Sequence, residues 1–230
     1  MDITLHSMEY GRSDAEPLVL LHGNGEDSTY FEHQIPCFAK RFRVIVLDTR
    51  GHGASPRGAA PFTLDQFVED LAAFLDEQGI GEAHLLGFSD GANIALLFAL
   101  KYPARVLSMV LNGGNLFPEG LTDEVREEDA ASFEAALREG DEHQLELLRL
   151  MMDEPRIDPA ELAQIDVPVL VVAGTDDMIA EDHTRLIAHS IPDAELRFIE
   201  GDHFVASGNP AAFNQAVETF FEKTSKAAGA

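Results

Sequence analysis

The chain has 230 residues, of which 45% are hydrophobic and 25% charged, and its 41 acidic and 16 basic residues give a formal net charge of −25. This composition is typical of a globular protein with one main core, and the negative charge argues against partners such as nucleic acid or an anionic membrane. The first ten residues lack the features of a secretory signal, no apolar run is long enough for a membrane helix, and the single cysteine excludes an internal disulfide. We therefore expect a cytoplasmic protein that acts on a small molecule.

Short apolar runs alternate with stretches of helical spacing along the chain. Runs of four to seven residues suit strands that are buried on both faces. They are, after an expected first strand at roughly Ile3 to Met8, Leu18 to Leu21, Val44 to Leu47, His84 to Gly87, Val106 to Leu111, Val167 to Ala173 and Leu196 to Ile199. The alternation predicts an α/β fold with an open, mostly parallel central sheet flanked by helices.

Two helices have clear start signals. Thr63 is placed as an N-cap, with Gln66 completing a capping box, and Gly79 is placed to end this helix. Asn209 and Pro210 have the pattern of an N-cap and a first-turn proline for a closing helix.

The stretch from residue 116 to 164 breaks the alternation of strands and helices. Its apolar residues have helical spacing, and residues 119–161 hold 15 acidic residues and four arginines. The residues with that spacing are Ala130, Phe133, Leu137, Leu145, Leu148 and Met152. We predict a small helical cap insertion at 116–164 within a core formed by 1–115 and 165–230. Its charge suits a solvated helix face, and repulsion of anionic substrates is the alternative.

The segment from Leu85 to Ala95 is typical of a strand, a tight turn and a helix, with Ser89 at the apex. Gly87 and Gly91 lie two residues to either side, where the absence of a side chain lets strand and helix pack closely around a strained serine. A serine hydroxyl is a poor nucleophile at neutral pH, so it needs a base that an acid orients. The next-to-last predicted strand is followed by Asp176 and Asp177, and the last strand by His203.

These motifs resemble those of the α/β-hydrolase superfamily, over most of the chain outside the predicted cap. The order Ser89, Asp177, His203 is the superfamily's order. The segment from Leu20 to Gly25 resembles its oxyanion loop, and that from Asp48 to Ser55 resembles its turn after the following strand.

The resemblance implies catalytic roles for Ser89, Asp177 and His203. The family pattern Gly-x-x-Asp, counted from Gly174, selects Asp177 over Asp176 as the acid. The backbone N–H groups of Asn24 and Asp90 are implied as the oxyanion hole.

The resulting expectation is a serine hydrolase that cleaves a small neutral carboxylic ester, a thioester or a lactone through an acyl-enzyme. This mechanism needs no metal and no organic cofactor. The alternatives on the same fold are a carbon-carbon bond hydrolase, a cofactor-free perhydrolase and a non-catalytic ligand-binding protein. The sequence leaves the substrate and the oligomeric state open.

Several other polar residues have structural interpretations. His22 is expected to be a structural hydrogen-bonding group, and Asp48, Arg50 and His52 to stabilise their turn. Cys37 is expected to be a small buried side chain, and the Asp176 carboxylate to accept hydrogen bonds from local amides. Polar groups that could contribute to the pocket are Glu26, Asp90, Asn112 and Asn115. For Asp90 two roles stay open: its carboxylate acts on the substrate or on His203, or only its amide matters.

Overall fold

A seven-stranded sheet forms the centre of the protein, whose computed structural model describes residues 1–228, with side chains described for residues 1–224. The strands are β1 (Ser7–Tyr10), β2 (Pro17–Leu21), β3 (Arg43–Leu47), β4 (Ala83–Phe88), β5 (Val106–Asn112), β6 (Val169–Gly174) and β7 (Ala194–Ile199). Their spatial order is β1-β3-β2-β4-β5-β6-β7, and β1 pairs antiparallel with β3 whereas the other pairs are parallel. The predicted α/β fold class with a mostly parallel sheet is confirmed.

The described chain also forms eight α-helices, several of which cover the two faces of the sheet. They are α1 (Ile35–Phe38), α2 (Leu64–Glu77), α3 (Asp90–Lys101), α4 (Asp123–Glu139), α5 (Glu142–Asp153), α6 (Glu181–Ser190), α7 (Val205–Gly208) and α8 (Pro210–Ala228). Successive residues of a strand point to opposite faces, so Val19 joins the core with α2 and α3 while Leu18 and Leu20 join the core with α8. Burial on both faces explains why the central strands β2 to β6 are nearly continuous apolar runs, whereas the edge strands β1 and β7 include charged residues.

The first strand begins later than the sequence suggested. The expected strand over residues 3–8 is wrong for its first residues, because the pairing with β3 runs from Ser7 opposite Leu47 to Tyr10 opposite Val44. Leu5 instead packs into the core, where it is only 6% exposed. An apolar residue before a strand can therefore be buried without belonging to the sheet.

The start of α2 follows half of the predicted pattern. Thr63 Oγ1 accepts a hydrogen bond from the Gln66 backbone N–H at 3.2 Å, as expected of an N-cap. The Gln66 side chain does not complete a capping box and instead donates to Asp70 Oδ1 at 3.0 Å. The helix ends before Gly79, which has a φ of +66°, and Ile80 N donates to Leu75 O in the manner of a Schellman motif.

The chain from residue 116 to 164, called the β5–β6 segment from here on, is mainly helical. Helix α4 buries Ala136 against Leu145 and Leu148 of α5, and Phe133 packs beside them. Three of the six residues whose helical spacing indicated an apolar face are exposed, so the pattern is wrong for Ala130, Leu137 and Met152. Helix α4 instead places the small side chain of Ala136 at its contact with α5.

None of the helices among the described residues combines the length and the apolar character needed to cross a lipid bilayer.

Candidate active site

Ser89 lies in the turn that joins β4 to α3. Its φ of +53° and ψ of −118° make it the non-glycine residue with positive φ among the described residues. A Cβ atom on Gly87 would collide with the carbonyl oxygen of Gly91, and one on Gly91 would collide with that of Leu21. The two glycines therefore permit a close approach of strand and helix that holds the strained Ser89 conformation.

Asp177 and His203 form a buried hydrogen-bonded pair after β6 and β7. His203 Nδ1 lies 2.7 Å from Asp177 Oδ1, and the side chains are 5% and 3% exposed, respectively. The backbone N–H groups of Ile179 and Gly174 each donate to the Asp177 carboxylate at 3.0 Å. Burial acts to raise the pKa of Asp177, but the hydrogen bonds and the charge of His203 outweigh it and lower the pKa. An ionised Asp177 makes Nδ1 the protonated nitrogen of His203 and leaves Nε2 available as a base.

The imidazole of His203 is held between backbone and aromatic groups. A Cβ atom on Gly113 would lie only 2.6 Å from His203 Cε1, and Gly113 has a φ of +64°. The Phe88 ring centroid is 4.8 Å from that of His203 on another side. Because Phe88 directly precedes Ser89, the same strand end positions the nucleophile candidate and supports the base candidate.

Ser89 and His203 line neighbouring cavities. The cavity of 20 Å³ beside Ser89 and the open cavity of 350 Å³ beside His203 share Met178 as a wall. Among the described residues no hydrogen bond joins Ser89 to His203. Such bonds are often long in an unliganded active site and tighten when substrate binds.

The loop after β2 passes directly over Ser89. A Cβ atom on Gly23 would lie 3.1 Å from the Ser89 Cβ. His22 fixes this loop, since its Nδ1 is 2.7 Å from Gly23 O and its Nε2 accepts from Thr49 N at 3.0 Å. Burial lowers the pKa of His22, which keeps it neutral and supports the structural role expected from the sequence.

Asn24 and Asp90 were the two predicted oxyanion-hole residues. Asp90 is the first residue of α3, so its backbone N–H has no acceptor within the helix and points out of the helix N-terminus. The Asn24 side chain donates to Leu147 O of α5 at 3.0 Å, which ties this loop to the β5–β6 segment. Their backbone N–H groups come from the two elements that flank Ser89.

The turn after β3 is stabilised by its own polar side chains, as predicted. Asp48 accepts hydrogen bonds from the backbone N–H groups of Ser28 and Ala54 at 2.8 and 2.9 Å. Arg50 extends beyond the turn, because its fully buried guanidinium binds Asp70 at 2.7 Å and Asp2 at 2.6 Å. Arg50 thereby joins the N-terminus, this turn and α2.

Two expectations about single side chains need correction. Cys37 is only half-buried and donates to Glu218 Oε1 at 3.0 Å, and burial together with this carboxylate raises the thiol pKa to about 11. Asp176 is exposed, and the local amides bind Asp177 in its place. The turn after β6 directs the Asp177 carboxylate toward the backbone N–H groups and leaves that of Asp176 in solvent. The position of these two adjacent residues in the sequence did not show which of them the amides would bind.

Of the other polar candidates near the site, Glu26 and Asn112 have side-chain atoms without hydrogen-bond partners, although Asn112 O accepts from Ser89 N at 2.8 Å. Both amide atoms of Asn112 and Glu26 Oε2 are buried and unpartnered in the part of the chain that the structure describes. Burial raises the pKa of Glu26 to about 7, although the charge of nearby His203 opposes this. Asn115 lines the cavity beside Ser89, as the sequence suggested, and its side chain accepts from Asn93 Nδ2 at 2.9 Å and donates to Phe117 O at 3.1 Å.

Beyond the small cavity at Ser89 lies a second one of 160 Å³ within the β5–β6 segment. Leu121 and Met151 line both cavities. Within the described residues, no group of three or more His, Cys, Asp or Glu side chains has the arrangement of a metal site.

Comparison with known proteins places this geometry in a family. Residues 16–148 match the family described as alpha/beta hydrolase fold. The chain is 26% identical to 3-oxoadipate enol-lactonase 2 of Acinetobacter baylyi, over 96% of this chain and 94% of the relative. A shorter match of 40% identity covers 49% of this chain and 41% of a 2-hydroxy-6-oxononadienedioate/2-hydroxy-6-oxononatrienedioate hydrolase of Burkholderia vietnamiensis.

Solved structures agree with the family match. A hydrolase from Pseudomonas aeruginosa is 27% identical and superposes with a TM-score of 0.78, covering 95% of this chain and 94% of that one. The sheet, the strained turn after β4 and the family match over more than half of the sequence lead to one conclusion: the chain belongs to the alpha/beta hydrolase fold family and is a hydrolase of this fold.

Proposed function

We propose that this protein is a serine hydrolase that cleaves small carboxylic esters, thioesters or lactones through an acyl-enzyme on Ser89. The observation that carries this proposal is the strained Ser89 turn at the same sheet edge as the buried Asp177–His203 pair. Strain and a buried acid–base pair both cost stability, so their combination at one edge favours a catalytic role.

In the proposed mechanism, His203 Nε2 takes the Ser89 proton while Oγ attacks the carbonyl carbon of the ester. The N–H groups of Asn24 and Asp90 stabilise the negative charge on the former carbonyl oxygen, and one such donor typically contributes about 3 kcal/mol. The intermediate collapses as the carbon–oxygen bond to the alcohol breaks, and His203 returns the proton to the alcohol. Water, deprotonated by His203, then releases the acid from Ser89.

Cavity size and the relatives support a small substrate. Leu121 and Met151 line both the 20 Å³ space at Ser89 and the neighbouring cavity of 160 Å³, and this limited total volume favours a short acyl group. The enol-lactonase relative, aligned over nearly the full length, acts by its name on a lactone, which is a cyclic ester.

Carbon-carbon bond hydrolysis is the second candidate. It is favoured by the 40% identity to the 2-hydroxy-6-oxononadienedioate/2-hydroxy-6-oxononatrienedioate hydrolase, although that match covers about half of this chain. Product analysis by mass spectrometry separates the two reactions. Ester hydrolysis breaks a carbon–oxygen bond and releases an acid and an alcohol, whereas this candidate reaction breaks a carbon–carbon bond of the substrate.

The test is intact mass spectrometry after treatment with an activated fluorophosphonate, which labels nucleophilic serines without any assumption about the substrate. We expect one adduct on the wild type, none on Ser89→Ala, and an unchanged adduct on the control Ser207→Ala, whose hydroxyl donates to Phe204 O at 3.0 Å. Ser89→Ala is further expected to lower kcat for p-nitrophenyl acetate by about a million-fold. An adduct or turnover that persists in Ser89→Ala would contradict the proposal.

A further inference from the structure

Asp90, the residue directly after Ser89, has an unsatisfied carboxylate oxygen. The residue is only 8% exposed. Its Oδ1 accepts from Asn93 Nδ2 at 3.1 Å, whereas Oδ2 is buried and has no partner among the described residues. A buried carboxylate oxygen without a hydrogen-bond donor costs free energy. A ligand that donates a hydrogen bond to this oxygen would recover that cost and bind favourably.

This carboxylate lines the cavity beside Ser89 together with a second acid. Glu154 forms another part of the wall, and its carboxylate accepts from Leu64 N at 2.7 Å. Burial raises the pKa of Asp90 to about 6 and also raises that of Glu154. At pH 7.5 Asp90 is therefore mainly ionised.

The charge of His203 and the Asn93 and Asn24 side chains partly oppose the rise in the Asp90 pKa. The arginines of the neighbouring elements, in contrast, are paired with other acids. Arg126 lines the adjacent 160 Å³ cavity but pairs with Asp123. Arg156 pairs with Glu119, and Arg57 with Glu146. The space next to Ser89 therefore has a negative potential, which attracts a cationic group and repels an anionic one.

We propose that Asp90 binds a protonated amine on the acyl part of the substrate, so that the preferred substrates are small esters of amino acids. Asp90 directly follows Ser89, and consecutive Cα atoms are about 3.8 Å apart. The short Asp90 side chain therefore reaches only substrate groups that lie a few bonds from a carbonyl held at Ser89. An amine on the carbon next to the carbonyl meets this limit. This inference rests on the proposed function and changes its substrate from a neutral ester to a cationic one.

The test compares two p-nitrophenyl esters of nearly equal shape: the ester of L-alanine and the ester of isobutyric acid, which has a methyl group in place of the ammonium. For each protein, kcat/KM for the alanine ester is divided by kcat/KM for the isobutyrate ester. The value for Asp90→Asn is then divided by the wild-type value, and this quotient cancels the different intrinsic reactivities of the esters. We expect a quotient about 10-fold to 100-fold below one, as for the loss of a charged hydrogen bond. A quotient within about twofold of one would overturn the inference and indicate that Oδ2 binds only a water molecule.

Asp176→Asn is the matched control. Asp176 is an exposed acid that lines the cavity at His203, at the same edge of the sheet. Its removal changes the net charge equally, so we expect a quotient within about twofold of one. An equal fall in both variants would overturn the role of Asp90 and assign the selectivity to the overall negative field.

A second measurement uses the wild type alone and does not depend on the folding of a variant. L-alaninamide and isobutyramide are compared at pH 7 as competitive inhibitors of isobutyrate ester hydrolysis. We expect L-alaninamide to bind at least about tenfold more tightly, and equal inhibition constants would overturn the inference. Absence of fluorophosphonate labelling at Ser89 would instead contradict the proposed function, so the two failures are distinguishable.

Discussion

The parallel sheet and the β5–β6 segment are stabilised in different ways. The central strands β2 to β6 are buried on both faces, and strand residues such as Leu18 and Val19 have no exposed surface. The segment has one small apolar cluster of its own, around Ala136, Leu145 and Leu148. The segment also joins the main core through the buried side chains of Leu116, Leu150, Ile157 and Leu162. Polar contacts of α5 add to these, such as Asn24 to Leu147 O and Arg57 to Glu146.

The sheet positions the proposed reacting groups, whereas the β5–β6 segment shapes the cavities. The proposed reacting groups Ser89, Asp177 and His203 lie at ends of strands that the core holds in place, whereas Leu121 and Met151 of the β5–β6 segment form walls of the cavities. Changes at the sheet edge are therefore expected to affect kcat and global stability. Changes in the segment are expected to affect KM and substrate choice.

The largest expected difference concerns two ion pairs. Asp70→Ala leaves the buried guanidinium of Arg50 without its main partner, and we expect a loss of about 3–5 kcal/mol in the free energy of unfolding. Glu146→Ala breaks the partly exposed pair with Arg57 and should cost less than about 1 kcal/mol. Urea unfolding measures both, and equal losses would contradict the distinction between core and segment.

The next comparison uses two glycines that both have positive φ. Gly113→Ala places a Cβ atom 2.6 Å from His203 Cε1, and the resulting shift of the imidazole should lower kcat/KM for p-nitrophenyl acetate by at least about 100-fold. Gly140→Ala, at the C-terminus of α4 with φ of +71° and nothing within 4 Å of the new atom, should cost about 1 kcal/mol of stability and leave activity within twofold. Comparable activity of the two variants would show that His203 does not depend on Gly113.

The last comparison concerns pH and the half-buried carboxylate of Glu26. Because burial raises the pKa of Glu26 to about 7, the folded state binds more protons than the unfolded state between roughly pH 4.5 and 7. This group therefore lowers stability as pH rises through that range, and Glu26→Gln should gain stability relative to the wild type at pH 8 compared with pH 5. Glu134→Gln, an exposed carboxylate on α4, should show no such change. Urea unfolding at both pH values measures the difference, and a pH-independent effect of Glu26→Gln would contradict the burial of its charge.

The sequence by itself determined the parts of the fold that depend on near neighbours. Apolar runs located the strands β2 to β7, and the Thr63 and Pro210 signals located the starts of α2 and α8. The two glycines around Ser89 predicted the strained turn, because that conformation depends on residues within two positions of the serine.

Only the tertiary structure decided the contacts between distant residues. Arg50 with Asp70, Asn24 with Leu147, and the inward face of α4 at Ala136 rather than Leu137 each depend on how separate elements pack. The unpartnered Oδ2 of Asp90 also depends on tertiary structure, because the elements packed around it exclude water from this atom. Local propensity and spacing act over a few residues, whereas desolvation and the pairing of charges depend on every element that surrounds a group.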